Sequence, residues 1–319
     1  MKIIKAEGGL GSQMLQVALY IELESKDEEV YFDLMNYNTR RMEHNGWEVE
    51  KIFGDLNLKY LSKSKWSSFV YYLKSKLKKK IKVNNKLSYY KKNISKEFKE
   101  KELHKFYKYY GNKIQIEKVF SNVGGKYDKS WYKENENIYY VSTYFSEKYF
   151  LNHKLVREKF KFPQITEEEN LKIKEKIIKS NSVAIHIRRG DYIDNPILGG
   201  LAPLSYYKKA IKKIKEEVVK PNFFIFSNDI KWCKENLELL NEEIYYIDWN
   251  KGEKSFRDMQ LMSLCKHNII PNSSFSWWAA WLNENPNKIV IAPEKWFSDE
   301  SEIPSNDIVP SKWIKIKNY

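Results

Sequence analysis

Seven consecutive residues, His186-Ile187-Arg188-Arg189-Gly190-Asp191-Tyr192, carry the strongest chemical signal in this chain. The protein has six arginines against fifty lysines. Where composition defaults to lysine, an adjacent arginine pair points to a need for the planar guanidinium fork, which meets two phosphate oxygens at once. Residues 182–187 read as a strand, so alternation puts His186 and Arg188 on one face and Ile187 and Arg189 on the other. One arginine is therefore expected on a ligand and the other in a partly structural role. The plainer reading is an Arg–Asp pair that ties down a turn.

A second cluster, Pro271-Asn272-Ser273-Ser274-Phe275-Ser276-Trp277-Trp278, follows a strand at 267–270 and opens a helix. A Ser/Asn run in that place is a helix cap. The same geometry aims backbone N–H groups, the positive helix end and two hydroxyls at one point, which makes a metal-free phosphate site. A third strand-to-helix turn is Gly8-Gly9-Leu10-Gly11-Ser12-Gln13. It has no Gly-Lys-Ser/Thr and lacks the third glycine of the dinucleotide fingerprint. It remains a small-residue loop where backbone can approach a ligand. No His/Cys/carboxylate spacing suggests a metal, so arginine and helix ends are expected to handle the charge of a bound phosphate.

These residues need a scaffold, and the sequence describes one. Strands at 2–6 and 30–33 flank a helix through 14–21. From residue 182 onward, strands at 182–187, 222–226, 243–247, 267–270 and 288–292 alternate with helices at 205–219, 230–240, 255–265 and 274–283. Short apolar strands alternating with helices mean an α/β fold with a parallel sheet covered on both faces. Ligands of such sheets bind beyond the carboxyl ends of the strands, where the Arg and Ser clusters fall.

The chain has 319 residues, 42% of them hydrophobic, with a net charge of +14. Wholesale disorder is excluded by that apolar content. The charge is concentrated: Leu61 to Tyr110 holds sixteen Lys and three Glu, +13 of the total. Such a segment is a local surface feature, and nucleic-acid binding is its least favoured reading. A solvated face comes first, and an anionic membrane surface second, because clustered Lys with Tyr, Trp and Phe suits a headgroup boundary. Two cysteines make neither a disulfide framework nor a metal cluster. The N-terminus lacks a signal-peptide pattern and no window reaches the apolar length of a membrane span. A cytoplasmic protein, peripheral on the inner membrane face at most, is expected.

Taken in order, Gly8 to Met14, His186 to Tyr192, Phe226-Ser227-Asn228-Asp229 and Asp258 to Trp278 resemble the bacterial α-1,2-fucosyltransferases of glycosyltransferase family 11. The likeness runs from the N-terminus to about Phe297, and the lysine-rich middle carries no family motif. The resemblance implies an α/β, GT-B-like fold of two Rossmann-type halves, the C-terminal half binding the nucleotide sugar. The halves are expected at 1–170, acceptor-side with the basic 61–110 insertion, and at 171–319. It also implies metal-free, inverting transfer of L-fucose from GDP-fucose to O2 of a terminal β-galactose, on a free or lipid-linked glycan of a bacterial surface polysaccharide.

By likeness to more distant fucosyltransferases, Arg188 is a β-phosphate ligand, Ser273 and Ser274 are phosphate partners, and Gly9 and Gly11 are backbone contacts to the diphosphate; Asn272 is counted with the donor-binding residues. His186 and Asp258 are the guanine contacts. Guanine offers two adjacent donors that one carboxylate can accept. The plainer readings are a buried histidine and a helix N-terminal carboxylate. Asp191 is the candidate base, or else it orients an arginine. Trp47, Asp33 and His44 are acceptor-side candidates by location. A transferase for another GDP-sugar, such as mannose, and a non-catalytic nucleotide- or polyanion-binding protein are the competing readings.

Overall fold

The computed structural model describes every residue except 40–44, 55, 62–95, 112–113, 123, 143, 238–241, 302 and 319. The chain divides into two compact units, Met1–Lys161 with Glu300–Ile308, and Phe162–Asp299 with Val309–Tyr319. The division lies nine residues before the sequence-based one and is crossed again near the C-terminus. Most of the basic 61–110 segment, with the expectation of membrane contact placed on it, lies outside the described residues.

The first unit contains β1 (Lys2–Lys5), α1 (Leu10–Glu24), β2 (Val30–Asp33), α2 (Met35–Thr39), α3 (Val49–Phe53), α4 (Lys96–Tyr110), β3 (Lys118–Phe120), β4 (Ile138–Tyr140) and α5 (His153–Lys159). Its strands form one parallel sheet in the order β2-β1-β4-β3. Ile3, Ile4, Phe32, Tyr139 and Tyr140 are fully buried. Strands apolar on both faces require cover on both sides, the condition of a parallel sheet. α4 is the described end of the basic segment. It buries Phe98, Phe106 and Tyr109 and keeps Lys101 and Lys108 exposed.

The second unit contains α6 (Glu168–Lys179), β5 (Asn181–Ile187), α7 (Leu204–Glu217), β6 (Pro221–Ser227), α8 (Ile230–Asn236), β7 (Glu243–Ile247), α9 (Phe256–Leu264), β8 (His267–Ile269), α10 (Ser274–Leu282), β9 (Val290–Pro293) and β10 (Ile314–Ile316). The sheet is wholly parallel, in the order β10-β9-β8-β5-β6-β7. Val183, Ile185, Phe223, Ile225, Ile269 and Ile291 form its core with Tyr206, Ala210 and Ile214 of α7. Those α7 positions repeat at four-residue intervals, which places them on one helical face.

Both units are therefore α/β with parallel, Rossmann-type sheets. The second sheet has a topological consequence. From β5 the chain adds β6 and β7 on one side, then returns to add β8, β9 and β10 on the other. The order reverses between β5 and β8, and a crevice opens beyond the carboxyl ends of strands at such a point. Among the described residues, no helix is long and apolar enough to cross a membrane.

Candidate active site

Arg188 follows β5 directly, and the 271–274 turn follows β8. Ile185 is in register with Ile269. The two segments therefore leave the sheet side by side, on strands about 4.8 Å apart. The Tyr192 hydroxyl donates to the Asn272 carbonyl at 3.4 Å and closes that pairing.

The two arginines divide as alternation predicts. Arg189 is held: its Nε pairs with Asp229 Oδ2 at 3.1 Å, its guanidinium lies 4.0 Å from the Trp232 ring centre, and its backbone N–H donates to Asn228 Oδ1 at 2.9 Å. Asp229 also caps α8 by accepting from the Trp232 N–H at 3.1 Å. The motif Phe226-Ser227-Asn228-Asp229 is thus a clamp on Arg189, a role the sequence reading did not assign. Gly190 completes the turn at φ +50°, a conformation that favours glycine; a Cβ there would also displace the Asn228 amide, 2.6 Å away.

Arg188 is half-buried and pairs with Asp191, Nη2 to Oδ1, at 2.9 Å. Its guanidinium also lies 5.6 Å from the Tyr192 ring centre. Asp191 is exposed, and a pair this open to water contributes little stability. Its effect is directional, because it orients the fork.

Ser273 is the N-cap of α10, and its hydroxyl makes no cap bond. The first-turn N–H groups of Ser274, Phe275 and Ser276 have no intrahelical acceptor and carry the positive end of the helix dipole. Trp278 is fully buried, Trp277 and Trp281 stack at 6.2 Å, and Trp313 packs on Trp277. This indole cluster fixes the helix so that its tip stays beside Arg188. Asn272 is committed elsewhere: its Nδ2 donates to the carbonyls of Leu198 at 3.0 Å and Trp296 at 3.1 Å. The structure makes it a tether for the 190–200 loop.

His186 is buried, packs on Phe275 with ring centres 5.8 Å apart, and leaves Nδ1 without a partner. Burial, with the Arg188 charge adding, holds its pKa down to about 3, so it is neutral at any working pH. Asp258 stands in the first turn of α9. Its Oδ1 accepts from Asn250 Nδ2 at 2.8 Å. Burial pushes its pKa up to about 7; the Asn250 bond opposes the shift and the Asp248 charge adds to it. Asn250 in turn pairs with Asn170 of α6. Neither asparagine carried a sequence signal.

The glycine turn belongs to the first unit. Gly8 stands at φ +81° with Ser12 Cβ 2.8 Å from where its own Cβ would be. Gly9 is the N-cap of α1, and its carbonyl accepts from Ser12 and Gln13. Gly11 lies buried in the first turn. Gln13 holds the loop together, donating to the carbonyls of Gly8 at 3.2 Å and Gly46 at 2.7 Å and accepting from the Glu48 N–H at 2.8 Å.

Asp33 is corrected by the structure. It is fully buried, and its two oxygens accept from the hydroxyls of Tyr110 and Tyr139, both at 2.6 Å, and from the Met35 N–H at 2.7 Å. A carboxylate so completely engaged ties β2 to α4 and β4 and has no capacity for a sugar. Trp47 packs on Phe32 and Tyr37 and donates its indole N–H to the Tyr60 hydroxyl at 3.1 Å. His44 lies outside the described residues.

A sequence profile described as Glycosyl transferase family 11 matches residues 95–317. An alpha-1,2-colitosyltransferase of Escherichia coli is 31% identical over 99% of this chain and 98% of its own. The O-antigen biosynthesis glycosyltransferase WbnK of Escherichia coli is 40% identical over 46% of this chain and 49% of its own. Galactoside alpha-(1,2)-fucosyltransferase 2 of Rattus norvegicus is 30% identical over 32% of this chain and 30% of its own.

Proposed function

This chain belongs to glycosyl transferase family 11, and from that premise we propose that it transfers L-fucose from GDP-fucose to O2 of a terminal β-galactose, in the synthesis of a bacterial surface polysaccharide. One observation carries the reading. A guanidinium oriented by Asp191 and the uncapped tip of α10 leave adjacent strands at the switch point of a parallel sheet. That couple suits a leaving diphosphate.

The reaction is a single displacement. The acceptor hydroxyl oxygen bonds to C1 of the sugar as the bond from C1 to the β-phosphate oxygen breaks, its proton is lost to solvent, and a β-linked donor gives an α-linked product and GDP. Negative charge grows on the departing phosphate. Arg188, Ser273, Ser274 and the α10 N–H groups stabilise that charge more in the transition state than in the ground state. No metal is needed for this stabilisation. Asp191 holds the fork toward the phosphate; as a base it would have to release Arg188 at the moment it takes the acceptor proton.

The test is an assay with GDP-fucose and lactose in the presence of EDTA. Arg188→Ala should lose about 10²–10³-fold in turnover. Arg188→Lys should recover little, because an ammonium cannot reproduce the fork. An Arg188→Lys enzyme with more than half of wild-type turnover, or a wild type that needs magnesium, would overturn the reading.

The full-length likeness to a colitosyltransferase supports a second donor, GDP-colitose. Colitose is L-fucose without its 3-hydroxyl. A site that hydrogen-bonds this hydroxyl rejects the sugar lacking it by about 10⁴-fold, whereas an apolar site tolerates the extra hydroxyl within about 10²-fold. Parallel rates with the two donors decide between them.

A further inference from the structure

We propose that Asn170 and Asn250 form a polarised amide relay that sets the Asp258 carboxylate in place and thereby gives the site its preference for guanine. The inference rests on the reading of Asp258 as the base contact.

The two amides are buried, Asn170 completely and Asn250 at 7% exposure. They pair reciprocally. Asn170 Nδ2 donates to Asn250 Oδ1 at 2.9 Å, and Asn250 Nδ2 donates to Asn170 Oδ1 at 3.0 Å. An isolated amide pair could be turned end for end. This one cannot, because each end meets a group of fixed character. The Trp249 indole is a donor only, and it donates to Asn170 Oδ1 at 2.8 Å. At the other end the Asp258 carboxyl takes the second Asn250 N–H at 2.8 Å, and once ionised it is an acceptor only. Both ends require the same orientation, so the chain from Trp249 to Asp258 has one direction.

Cost and surroundings say why this matters. Burying two amides is tolerable only when their hydrogen bonds are made, and an apolar pair would join α6 to the 248–255 loop more cheaply. An apolar pair could not hold a carboxylate. Among the described residues Asp258 has no cation within ion-pair distance, and Asp248 adds a like charge. Asn250 is therefore the group that fixes the Asp258 rotamer. A carboxylate held this way accepts the N1–H and 2-amino donors of guanine together. One free to rotate loses the second contact first.

The test compares binding of GDP and of inosine diphosphate, which lacks the 2-amino group, in wild type, Asn250→Leu and Trp249→Phe. The ratio of the two affinities does not depend on the fraction of folded protein, so a purely structural role would leave it unchanged. Wild type should favour GDP by about tenfold or more, the worth of one hydrogen bond to a charged group. Asn250→Leu should bring the ratio near one and raise the KM for the donor while kcat at saturation stays within about twofold. Trp249→Phe keeps the ring but frees the relay to turn, and should lower the ratio at least threefold; it serves alone if Asn250→Leu does not fold. Folded variants that keep the wild-type ratio overturn the relay. A wild type that binds inosine and uridine diphosphates as tightly as GDP overturns the guanine reading and the relay with it.

Discussion

If Asp258 is the guanine contact proposed above, its titration should be visible in donor binding: burial pushes its pKa up to about 7, with the Asn250 bond opposing and the Asp248 charge adding. Only the ionised form accepts two donors, so donor binding should strengthen as pH rises through about 7. We expect the KM for the nucleotide sugar to fall between pH 6 and pH 8 and to level off above, measured at saturating acceptor. Asp258→Asn should bind weakly and show no such limb. Stability runs the other way. The folded pKa lies above the ordinary 3.8, so the stabilising contribution is full below that value, shrinks as pH rises and is gone above about 7. The stability advantage of Asp258→Asn in urea should therefore grow from pH 5 to pH 8. Arg188 was legible in the sequence because arginine is scarce in this chain. Asn170 and Asn250 were not, since asparagine is common here and the partners lie 80 residues apart.

The carboxyl ends of the two sheets are built differently. In the second unit β5 and β8 end in an arginine and a helix tip. In the first, β1 and β2 end in buried charge. Lys5 reaches Glu102 of α4 at 2.9 Å, both almost fully buried, and Asp33 takes the Tyr110 hydroxyl at the last residue of the same helix. These bonds lock α4 to the sheet. Stranding a buried charge costs about 3–5 kcal/mol; without Glu102, Lys5 keeps Glu7 at 3.1 Å, so the loss should fall below that range. Glu102→Ala should lower the urea midpoint accordingly, while Lys5→Met with Glu102→Leu should restore most of the loss. Strand and helix positions in the second unit were readable from their alternation, to within a few residues. Asp33 misled because a carboxylate ending a strand looks the same in sequence whether it faces a ligand or two buried tyrosines. The strand β10 gave only Ile-Lys-Ile, too short to stand out.

At the scale of the whole molecule, the glycine turn lies in one unit and the arginine with the helix tip in the other. Hydrogen exchange with and without GDP separates their parts. We expect GDP to protect amides at 188–192 and 272–276 in the second unit; protection of 8–13 as well would support the backbone contacts expected of Gly9 and Gly11. Protection confined to the second unit would remove Gly9 and Gly11 from the donor site. The sequence suggested one boundary, near residue 160–180, ahead of the regular alternation of strands and helices. It carried no sign of the later crossing, since residues 300–308 differ little in texture from their neighbours.

That crossing dictates an order of events during synthesis. Residues 304 and 307 belong to the first unit through backbone bonds: the Gly125 N–H donates to the Pro304 carbonyl and the Asp307 N–H to the Gly125 carbonyl, each at 2.7 Å. The Asp307 carboxylate also takes the Tyr127 N–H at 2.8 Å and the Lys148 ammonium at 2.5 Å. A ribosome must therefore have made residues 300–308 before the unit that holds the first sheet can seal its last seam. Nascent chains stalled short of residue 300 should leave the 122–128 loop open to protease, however well the rest of that half has formed.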